Sequence, residues 1–65
     1  MRINVSVEVV ALVQLVDQGE VRADPGDVGQ VVDVLEGGTW LVVAFADGAA
    51  ECDVDNVRLR TEAEG

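Results

Sequence analysis

The sequence predicts an all-β fold, a small, partly open barrel of five strands, and three observations carry that expectation. Fifteen of the 65 residues are valine, whose branched Cβ restricts rotamers in a helix but packs well on a pleated sheet. Apolar residues alternate with polar ones or gather in short runs, and clusters of Gly, Pro and Asp separate those runs at hairpin spacing. A chain of 65 residues holds one domain that buries roughly 60% of its unfolded surface, so it builds a single modest core. Residues 1–60 are expected to form that domain, and 61–65, "TEAEG", a disordered acidic tail.

In the first strand Ile3, Val5, Val7 and Val9 alternate with Asn4, Ser6 and Glu8, and an apolar run from Val9 to Val13 follows. The change of pattern predicts a bulge or bend in one long strand. The same polar interruptions argue against a signal peptide, whose apolar centre is unbroken, and no run approaches the length of a membrane span. Asp17 to Asp27, "DQGEVRADPGD", carries Asp17, Glu20, Asp24 and Asp27 and is expected to be the longest loop. Val28 to Leu35 forms the second strand. Glu36 to Thr39 is a hairpin turn in which Gly37 and Gly38 supply positive φ. Trp40 to Phe45, "WLVVAF", is a third strand, apolar on both faces, and a second hairpin signal at Ala46 to Ala49 centres on Gly48. Ala50 to Val54 makes the fourth strand, with Glu51 and Asp53 on one side. A tight turn over Asp53 to Asn56 leads to the last strand, Val57 to Arg60.

The stretch "PGDVGQVVDV" from Pro25 to Val34 has two readings, a phosphate-binding loop or a turn into a sheet. A phosphate loop requires further glycines or a lysine ahead of a helix. Here the lysine and the helix are missing, and Asp24 and Asp27 repel an anion. The structural reading is that Pro25 and Gly26 set a turn, while Gly29 sits where a barrel corner leaves no space for a Cβ.

The succession of a valine-rich strand, an acidic loop, "GDVGQVVDV", a hairpin, "WLVVAF", "DG" and "DVDNVRL" resembles the short bacterial SH3-like domains catalogued as domain of unknown function 4926. The resemblance spans about Glu8 to Arg60, and "GDVG", the following V-x-x-V and "DNVR" carry it. It implies an SH3-like barrel and assigns no chemistry.

Charge narrows the function classes. Thirteen acids oppose four arginines, with no Lys or His, for a net charge of −9. Such a field opposes binding to nucleic acid and anionic lipid, and favours a basic protein partner. A nucleic-acid-associated SH3/KOW-like barrel is the alternative reading, and it requires Arg2, Arg58 and Arg60 to cluster. Only Trp40 and Phe45 are aromatic, too few for a polyproline groove. "DVDN" opens like a calcium loop, but Val57 and Arg58 stand where a ligand and a glycine belong, so no metal or cofactor is expected. With no His or Lys, Cys52 lacks a base and lies in a strand, so the chain is read as no enzyme. The lone cysteine suits a reducing cytoplasm.

One feature exceeds a monomeric barrel. On the third strand Trp40 and Val42 face one way, and Leu41, Val43 and Phe45 the other, yet a barrel wall has one inside face. The apolar outer side, whichever set forms it, is expected to be covered by a protein partner, a basic one in keeping with the charge, by a second copy in a homodimer, or by the N-terminal segment folded back. The expected function is therefore a non-catalytic protein–protein interaction module: an accessory subunit or acidic binding partner of a larger protein, of the antitoxin or immunity type.

Overall fold

The computed structural model describes residues 4–61. It is all-β: β1 (Glu8–Ala11), β2 (Leu15–Asp17), β3 (Glu20–Ala23), β4 (Val28–Leu35), β5 (Trp40–Phe45), β6 (Gly48–Asp53) and β7 (Val57–Leu59), with single 3-10 turns, the first of them left-handed, at Glu36–Gly38 and Val54–Asn56. A five-stranded antiparallel sheet in the order β6-β5-β4-β1-β7 coils around the core, and β2 and β3 form a separate two-stranded hairpin packed against β6. The arrangement is that of a small, partly open barrel: among the described residues the ladder does not close on itself.

The core is apolar. Val9, Val31, Leu41, Val43 and Val57 are its largest fully buried side chains, joined by Ala11, Leu15, Ala23, Phe45, Ala50 and Cys52. Each comes from alternate positions of its strand, as the period of two requires when one face is buried.

The expected long loop from Asp17 to Asp27 is instead mostly a hairpin. Gln18 (φ 52°) and Gly19 (φ 77°) link the Asp17–Glu20 pair, the paired positive φ values of a primed two-residue turn. Acidic composition concealed it, because each arm holds only three or four residues and only Leu15 and Ala23 are buried. Arg22 is the extra residue of a bulge in this ladder, since Leu15 opposes Ala23 and Val16 opposes Val21.

The first strand is also shorter than its alternation implied. Ile3 lies outside the described residues, and Asn4 to Val7 form a turn in which Val7 N–H donates to Asn4 O. Ser6 N–H donates to Val31 O and Val31 N–H to Val7 O, with Ser6 at φ 78°. Two residues thus face one: the bulge sits here, before β1 rather than after Val9. A second bulge places Val32 between the Val31–Val43 and Asp33–Val42 pairs. Together they bend the sheet at Val31.

The turn ahead of β4 has Asp27 N–H donating to Asp24 O at 3.0 Å, with Pro25 second and Gly26 third at φ 96°. Proline pre-sets the second position and glycine tolerates the third. Asp27 Oδ2 accepts from Asp24 N–H at 2.9 Å, so these acids hold the turn. Gly37 and Gly38 have φ of 68° and 94° in the β4–β5 turn, and Gly48 has 126° after the β5–β6 turn. The tail expected over 61–65 lies, from 62 onward, outside the described residues.

Candidate functional site

The face of β5 is decided by packing. Leu41, Val43 and Phe45, counted among the candidate interface residues, point into the barrel with exposures of 0%, 0% and 9%, and they are removed from it. Trp40 and Val42 face outward with Ala44, all three partly covered.

Register assembles their neighbours. Trp40 stands between Leu35 of β4 and Asp53 of β6; Val42 stands between Asp33 and Glu51; Ala44 stands between Gln30 and Ala49. Val32, the extra residue of the β4 bulge, is 46% exposed beside the Asp33–Val42 pair. An apolar column therefore runs up the outer wall, edged by carboxylates on both sides. Trp40 Nε1–H donates to Glu51 Oε1 at 3.0 Å, which leans the indole diagonally over the β5–β6 ladder. Asp53 Oδ1 accepts from Asp55 N–H at 2.9 Å, and its own N–H donates to Asn56 Oδ1 at 3.2 Å, a capping box on the second 3-10 turn.

The acids of the hairpin have local duties. Asp17 Oδ2 accepts from Glu51 N–H at 3.3 Å, Glu20 pairs with Arg22 at 3.3 Å, and Asp24 Oδ1 accepts from Gln14 Nε2 at 3.2 Å. Among the described residues no group of three or more His, Cys, Asp or Glu is placed to hold a metal ion. Arg22 Nη1 also donates to Asp47 O at 3.0 Å, while its Nε–H is buried without a partner. A cleft of about 160 Å³ adjoins it, lined by Asp27, Val28, Phe45, Ala46 and Asp47.

Of the arginines that a nucleic-acid interface would use, Arg58 is exposed opposite Val10, Arg60 pairs with both oxygens of Glu8 at 3.3 Å, and Arg2 lies outside the described residues. Cys52 is buried on β6. Burial, and secondarily the adjacent Asp53 carboxylate, push its thiol up to about 11, so the nucleophilic thiolate is scarce near neutrality.

Sequence reasoning singled out Trp40 and Val42 but missed Asp33 and Leu35 as their neighbours. Counting back across the Gly-Gly turn pairs Leu35 with Trp40, but the bulge at Val32 has no signature in the residues. Comparison with protein-family models, curated proteins and solved structures finds no match to this chain. Among the described residues no helix is long and apolar enough to cross a membrane.

Proposed function

We propose that this chain is a non-catalytic protein–protein interaction module, an acidic accessory subunit or binding partner of a larger protein, as in the antitoxin or immunity type. The observation that carries the reading is the outward column of Trp40, Val42 and Ala44 with Val32 beside it. Apolar side chains on the outer wall of so small a barrel gain most when a partner covers them. The acidic frame and the net charge of −9 select basic surfaces and speed their encounter. At the β6 edge, beside this column, the sheet face rather than an added strand is the means of binding, because side chains cap that edge: Asp17 takes the Glu51 N–H and Asn56 takes the Asp53 N–H. The proposal includes kinship with the short bacterial SH3-like domains and a reducing cytoplasm, which suits a buried unpaired thiol at Cys52.

The test is affinity capture from the native host, followed by reconstitution with the purified partner and calorimetry at two salt concentrations. A stoichiometric complex that weakens with salt supports the module. A chain that sediments as a monomer and reconstitutes with no captured protein removes it.

A further inference from the structure

We propose that the outer face of β5 is a guanidinium-binding site, on which an arginine of a basic protein partner stacks over Trp40 between the carboxylates of Asp33, Glu51 and Asp53. The inference deepens the interaction-module reading and rests on it. Its ground is a juxtaposition that tertiary pairing creates: one indole in the apolar column, with Asp53 as its direct cross-strand neighbour, Glu51 hydrogen-bonded to its Nε1 at 3.0 Å and Asp33 across Val42. A carboxylate accepting from the indole N–H pushes electron density into the ring and strengthens its attraction for a cation on the π face. Glu51 is exposed and Oε1 is its contact to the indole, leaving Oε2 placed to accept from a guanidinium. Arginine fits better than lysine because its planar, weakly hydrated head stacks on aromatic rings while its edge donates to carboxylates.

Charge decides between a partner and a second copy. The face holds acids and no arginine at the positions flanking Trp40, Val42 and Ala44, so two copies placed face to face would set carboxylate against carboxylate. Among the described residues the arginines sit elsewhere: Arg22 is engaged by Glu20 and the Asp47 carbonyl, Arg60 by Glu8, and Arg58 lies on the far edge strand.

Trp40 is the single tryptophan, so its emission reports this site alone. The probe is an octapeptide of alternating arginine and valine, with lysine and glutamate counterparts, titrated against the full chain at about 0.15 M salt, where the Debye length is about 8 Å. The arginine peptide should shift Trp40 emission and bind several-fold more tightly than the lysine peptide, and the glutamate peptide should not bind. Glu51→Gln keeps an acceptor for the indole and should weaken binding about threefold to tenfold, as loss of one charge-assisted contact predicts. Asp24→Asn removes the same charge in the turn ahead of β4 and should change affinity less than about twofold, given screening beyond a Debye length. Trp40→Leu, read by anisotropy of a labelled peptide after its fold is checked by circular dichroism, should lose roughly tenfold. Equal weakening by Glu51→Gln and Asp24→Asn, equal binding of the lysine peptide, or binding that leaves Trp40 emission unchanged would overturn the site. Self-association that shifts Trp40 emission without peptide would assign the face to a second copy and overturn it as well. A reconstituted natural partner that binds Trp40→Leu and Glu51→Gln undiminished overturns the site and leaves the interaction module standing.

Discussion

A Cβ placed on Gly29 would lie 2.6 Å from Val43 Cγ1 and 2.7 Å from Phe45 Cε1. Neither neighbour is free to retreat, since Val43 is fully buried and Phe45 is 9% exposed. Gly29→Val should therefore lower stability by about 2 kcal/mol or more through overpacking, and Gly29→Ala by less in the same direction. A urea midpoint that does not move on Gly29→Val would contradict the crowded corner. Gly19, with nothing within 4 Å of its Cβ position, has no such constraint from contacts, only from its positive φ.

Two turn positions hold long side chains in left-handed backbone: Gln18 at φ 52° and Glu36 at φ 51°. Asparagine occupies that region more readily than other residues bearing a Cβ. Gln18→Asn and Glu36→Asn should each raise stability by a few tenths to about 1 kcal/mol, seen as a higher thermal midpoint. Lower midpoints for both would show that the native side chains make compensating contacts.

The Asp53 carboxylate and Asn56 amide cap one 3-10 turn reciprocally. Asp53→Ala should lower stability by about 1 kcal/mol. Asn56→Ala should do likewise, and the double variant should lose less than the sum, because the two bonds hold a single turn. Strict additivity in chemical denaturation would argue that they act separately.

Cys52 should react with iodoacetamide in the native state far more slowly than in urea at pH 8, its thiol being buried and pushed up to about 11. The folded value lies above the unfolded one, so folding favours the protonated thiol. That contribution to stability is full below the unfolded value of 9.0 and fades as pH rises toward about 11. Native and unfolded chains that alkylate at the same rate would show that the thiol is accessible.

Nucleic-acid binding should be absent at physiological salt. The net charge of −9 opposes approach, and Arg60 already pairs with Glu8, so few cations are left to displace counterions from phosphates. Micromolar, salt-sensitive anisotropy changes with single- or double-stranded oligonucleotides would reverse the ranking of the two functional readings.

Valine content, period-two alternation and glycine placement were sufficient by themselves for the all-β class, for the barrel and for the strands from Val28 to Phe45, because these are local preferences of backbone and Cβ. Chain-local chemistry likewise located the turns at Pro25-Gly26, Gly37-Gly38 and Gly48. The tertiary structure alone decided what depends on pairing. It made a hairpin of the acidic segment, since its two short arms are held by packing of Leu15 and Ala23 rather than by their own pattern. It also chose which side of "WLVVAF" is inside: both sides are apolar, so hydrophobicity could not choose, and the register with β4 and β6 sent Leu41, Val43 and Phe45 inward. That register, shifted by a bulge at Val32, is what brought Asp33 and Glu51, eighteen positions apart in the chain, to either side of Val42. A one-residue shift exchanges every neighbour on a sheet face, so the composition of the outer wall is a property of strand pairing and not of any segment read alone.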